Sequence, residues 1–141
     1  MIGYNDLALC RQTAADKCAS EFPALAREIS SNVSHILGAI RHGAHYRGRV
    51  VIVNYYATNY ANPADVGLSQ GLNAAVDGAA KPFHVRIADG FGAFAAAALP
   101  FGGDSCAAGL LTQLTGGGCG IHPSAAGQAL LALAVEQVVK T

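Results

Sequence analysis

Apolar residues recur at steps of three and four from Phe22 onward: Phe22, Leu25, Ile29, Val33, Ile36, Leu37 and Ile40. That spacing lays them along one face of a helix, and a face so apolar needs a sheet to cover it. Arg41 to Gly48 is rich in Arg, His and Gly and ends the helix. The period then changes. Arg49 to Tyr56, RVVIVNYY, is a continuous β-branched run, the pattern of a strand buried on both faces by flanking helices. Val66, Leu68, Leu72, Val76 and Ala79 restore a weaker helical spacing over 66–80, interrupted by Gly71 and Gly78. Phe83 to Ala88 reads as a second strand, closed by Asp89-Gly90, and Leu131, Val135, Val138 and Val139 give a last helix a sheet-facing stripe. Between them Ala93 to Thr115, rich in Gly and Ala, reads as a long loop, and Cys10 to Cys18 as a polar loop ahead of the first helix. Alternating strand and helix implies right-handed crossovers and a parallel sheet, so the expectation is one α/β domain over residues 1–141.

Charge narrows the partners without naming one. Nine basic and nine acidic residues cancel, and no Lys/Arg cluster is evident, so nothing points to nucleic acid or an acidic membrane surface. No apolar run reaches the roughly 20 residues needed to span a bilayer, and the chain as given has no export signal. The four cysteines fall in two close pairs, Cys10 with Cys18 and Cys106 with Cys119. In an oxidising compartment these read as two disulfides, and in the cytosol as four buried or idle thiols; neither pair has the CxxC spacing of a zinc site. His42 and His45 lack a nearby carboxylate or cysteine and read as solvated loop residues. Tyr55, Tyr56 and Tyr60 follow a strand's carboxyl end, where open α/β sheets place ligands, and either line an acyl pocket or pack core and rim.

Gly116 to Gln128, GGGCGIHPSAAGQ, holds the histidine best placed for chemistry. Glycines allow a tight turn before His122, Pro123 fixes the chain after it, and Ser124 is placed to cap the following helix. At the other end of the chain stands Gly3-Tyr4-Asn5-Asp6. The histidine block resembles the last block of the SGNH (GDSL-type) esterases and lipases, and GYND resembles their GxND block. The resemblance implies a three-layer α/β/α flavodoxin-like fold and hydrolysis of short-chain carboxylic esters through an acyl-enzyme, with no metal or organic cofactor. Asn5 would donate to the oxyanion and His122 would move the proton between nucleophile and leaving alcohol.

The resemblance covers the carboxyl-terminal two-thirds of a complete family domain. The family's serine block, a Gly-Asp-Ser-Leu turn, would lie upstream of Met1. Gly103-Asp104-Ser105 repeats three of its letters but follows a long loop rather than the first strand, so Ser105 is a loop residue or a replacement nucleophile. In secreted members a cysteine in such a loop pairs with one just before the histidine block, a role Cys106 and Cys119 would fill. The chain departs from the family at the usual Asp-x-x-His-Pro pattern: Cys119 and Gly120 precede Ile121-His122, so no carboxylate stands ready to orient the imidazole. An impaired site follows, or a catalytically inactive remnant or binding module whose missing half another chain supplies. Without the preceding strands, the Arg49 to Tyr56 strand would lack an inner partner, which implies a homo-oligomer.

Overall fold

The computed structural model describes residues 1–140. Helix α1 (Tyr4–Thr13) leads into α2 (Phe22–Gly38), which widens into a π-helical turn, Ala39–Gly43. Strand β1 (Val51–Val53), helix α3 (Pro63–Ala80), strand β2 (Arg86–Ala88) and helix α4 (Gly90–Ala98) follow. A hairpin of β3 (Leu111–Gln113) and β4 (Cys119–Pro123) precedes the last helix, α5 (Ala125–Val139). The fold is mixed helix and strand. β1 and β2 pair in parallel with Ile52 opposite Ile87, while β3 and β4 are antiparallel.

The expected periodicities hold in α2 and α3 and fail where chemistry other than hydrophobic spacing decides. Ile29, Val33 and Leu37 of α2 are buried with Leu72 and Val76 of α3, and Val50, Ile52, Val85 and Ile87 of the strand segments pack on this cluster. Helix α5 contacts both strands from the other side, together with α4. Ile36 and Val139, expected on the covered faces, are 45 % and 38 % exposed, because each lies at the margin of its helix's apolar arc. The expected loop at Ala93–Thr115 begins only after Phe101: an unbroken run of alanines is the strongest helix former, and the Asp89 carboxylate accepts from the Gly92 amide to start α4. The expected polar loop at Cys10–Cys18 is corrected in the same way. Cys10 lies within α1, which buries Tyr4 and Leu7 against α2 and α3, and only the residues after Thr13 turn.

Both strands are shorter than expected: β2 loses its amino end to the 3-10 turn Lys81–Phe83 and to His84 at φ 52°, and β1 has its carboxyl end diverted by side chains. Asn54 Oδ1 accepts from Phe91 N, and the Asn73 amide both accepts from Tyr55 N (2.6 Å) and donates to Tyr55 O (2.7 Å). Val50 O and Asn54 N bond to β2, so by alternation the backbone groups of Val51 and Val53 face away from it. Among the described residues no strand pairs with that edge. Asn73 covers it only at Tyr55. Two disulfides, Cys10–Cys18 and Cys106–Cys119, close the two short loops. Among the described residues no helix is long and apolar enough to cross a membrane.

Candidate functional site

The carboxyl end of β1 gathers the two blocks that lie farthest apart in the chain. Gly3, at φ 93°, turns the chain into α1, and the next residue, Tyr4, stacks on Tyr55 with centroids 4.5 Å apart. Tyr55 lies against Tyr56 at 5.2 Å, and the Tyr56 hydroxyl donates to the Ile121 carbonyl at 2.7 Å. Tyr56 is fixed from behind by Phe94, stacked at 4.0 Å. One chain of aromatic contacts therefore runs from the neighbour of Asn5 to the neighbour of His122. Both Asn5 and His122 are exposed, and neither side chain has a hydrogen-bond partner among the described residues.

His122 stands on β4, not on the loop that the flanking glycines and proline suggest. The glycines instead form the hairpin turn, with Gly117 and Gly118 at φ 90° and 74°, and Thr112 Oγ1 donates to the His122 carbonyl across the hairpin. The Cys106–Cys119 bond ties the strand's start to the segment after α4. Ser124 caps α5: its Oγ accepts from Gly127 N at 3.2 Å and donates to Gly109 O at 2.6 Å. The ion pairs among the described residues are Arg11 with Asp65 and Lys140 with Glu136, so no carboxylate orients the His122 imidazole.

Ser105 has a different setting from either. It is fully buried, and its Oγ donates to Ala57 O at 2.9 Å while its amide donates to Thr58 O. Asp104 Oδ1 accepts from the amides of Cys106 and Ala107, and Gly103, at φ 83°, lies so close to Ala61 N that a side chain there would collide with it. The Gly-Asp-Ser run thus pins the segment after α4 to the one after β1. No bond connects Ser105 with His122 or Asn5.

The three tyrosines pack rather than line an open pocket. The Tyr60 hydroxyl donates to Phe91 O and accepts from Ala57 N, matching the commitment of Tyr56 to Ile121. Burial, with Tyr4 nearby, pushes Tyr55 up to about 12, and burial also raises Tyr56 and Tyr60 above the ordinary phenol value. Among the described residues no three His, Cys, Asp or Glu side chains come together to hold a metal ion. Two positioning residues escape sequence reasoning, Tyr4 and Asn73. Asn73 had a signal, a polar residue on the buried stripe between Leu72 and Val76; Tyr4 had none. Comparison of the chain with protein-family models, with curated proteins and with solved structures finds no match.

Proposed function

We propose that this chain carries the oxyanion-binding and proton-transferring part of an SGNH-type carboxylic ester hydrolase acting on short-chain esters, and that Ser105 is not its nucleophile. The observation that carries the reading is the aromatic bridge Tyr4–Tyr55–Tyr56–Ile121, which brings the GYND and IHPS blocks to one end of β1. Ligands of open α/β sheets bind at that end of the strands. The Asn5 amide would donate to the developing oxyanion, and His122 would take the proton of the attacking hydroxyl and return it to the leaving alcohol. The hydroxyl comes from water or from a serine outside these residues, since the Ser105 proton is spent on Ala57 in a site closed to solvent. With no carboxylate behind His122, turnover is slow.

A second reading, a binding-only remnant, is favoured by the same buried serine. The two separate on p-nitrophenyl esters of increasing acyl length. The hydrolase reading expects a rate above buffer that falls as the acyl chain lengthens and drops further in Asn5→Ala. A wild-type rate equal to buffer, or one that Asn5→Ala leaves untouched, favours the remnant.

A further inference from the structure

At the opposite end of the sheet from Tyr55, the chain builds a basic cleft that ester hydrolysis does not use. A cavity of about 500 Å³ is lined by Arg41, His42, Arg47, Arg49, His84 and Arg86, over the rings of Tyr46 and Phe83. Four of the nine basic residues of a chain with no net charge meet here, and no Asp or Glu lines the space. A net charge of zero hides the concentration: Arg41, Arg47 and Arg49 share one segment, and the chain entering β2 adds His84 and Arg86 to it.

The cleft is built rather than merely crowded. Arg41 Nε donates to Phe83 O at 3.1 Å, and its Nη1 donates to Tyr46 O at 3.0 Å and Gly48 O at 2.7 Å, which locks one guanidinium in place and stitches its two walls together. Arg49 and Arg86 donate to the Val139 and Val138 carbonyls at the end of α5. Those bonds fix the positions of both guanidinium groups at the cleft wall, and a carbonyl acceptor leaves the charge of Arg49 uncancelled among the described residues. Arg47 is exposed and makes no ion pair among the described residues. The backbone is unusual at the same place. Arg41 and His42 lie on the π-helical turn, and His84 is held at φ 52°. Such conformations gather at functional sites because they aim side chains that regular structure would not.

We infer that this cleft binds a small molecule carrying phosphate groups, held by Arg41, Arg47 and Arg49 with His42 and His84 at its rim. Guanidinium groups match phosphate oxygens in geometry as well as charge, and the volume suits a small ligand rather than a polymer. Inorganic pyrophosphate, titrated calorimetrically into the full chain, is the probe. Saturable binding is expected, weakening as sodium chloride rises and about tenfold weaker in Arg47→Glu, the effect of losing one charge-assisted contact. Arg27→Glu, the same charge change on an exposed position of α2, is expected to bind like the wild type. No saturable binding, or equal losses in both variants, would overturn the proposal. Co-sedimentation with phosphatidic acid vesicles but no binding of pyrophosphate would also overturn it, giving the cleft to a lipid headgroup.

Discussion

Ser105 illustrates how a residue's meaning depends on where its partner sits. Its neighbours in sequence suggest a nucleophile, but its hydroxyl partner, Ala57 O, lies 48 residues away and cannot be found by spacing. Ser105→Ala is expected to strand that carbonyl and lower stability by about 1–3 kcal/mol, read as a fall in Tm. An unchanged melting curve would show that the bond does not hold the two segments together. Ser124 is the contrary case: its capping role uses Gly127 three residues on, so it is legible in the sequence. Asp77 carries a cost at this scale. Burial, with Asp89 nearby, raises its pKa above the ordinary carboxylate value, and its Oδ1 is enclosed without a hydrogen-bond partner among the described residues. A raised folded-state pKa favours the protonated form, so the folded state is best off at acid pH and loses stability as the carboxylate ionises. Asp77→Asn is expected to raise Tm at neutral pH and to change little in acid; a lower Tm at neutral pH would show that the charge is used.

Helices and strands were legible where burial alone shapes them. The α2 and α3 patterns and the β1–β2 parallel pair follow from periodicity, whereas α4 was hidden by a composition that also suits loops, and the β3–β4 hairpin by glycines that serve its turn. The hairpin that carries His122 depends on two non-local devices. One is the Cys106–Cys119 bond, whose loop closure stabilises by about 2–3 kcal/mol on the chain-entropy model. Peptide mapping without reductant is expected to recover Cys106 joined to Cys119 and Cys10 joined to Cys18; four free thiols after oxidative refolding would contradict it. The other is the close approach of α5 to the chain ahead of β3. A Cβ on Gly127 would fall 2.3 Å from Leu110 O, so Gly127→Ala is expected to destabilise by about 1–3 kcal/mol. The aromatic bridge has its own signature in alkali. Because Tyr55 is raised to about 12, stability is complete below the ordinary phenol value near 10 and is lost as pH rises through that window. Absorbance titration is expected to show these tyrosines ionising together with alkaline unfolding, not before it.

At the scale of the whole molecule, the open side of β1 is the feature that needs a partner. The backbone of Val51 and Val53 faces away from β2, and β1 is only half-buried along its length, unlike a central strand. A sheet continued into a second copy would satisfy those groups, and a dimer is expected by light scattering at low micromolar concentration. A species at the 14.3 kDa chain mass would show that the edge stays unpaired in solution. The same scale links the two blocks, since Asn5 and His122 are 117 positions apart in sequence and their neighbours Tyr4 and Ile121 are connected through Tyr55 and Tyr56 at the end of β1. The most direct measurement of that claim compares His122→Ala and Ser105→Ala in p-nitrophenyl acetate hydrolysis, each rate taken per folded molecule. The account predicts that His122→Ala falls to the buffer rate while Ser105→Ala keeps the wild-type rate. Activity lost with Ser105 and retained without His122 would contradict it.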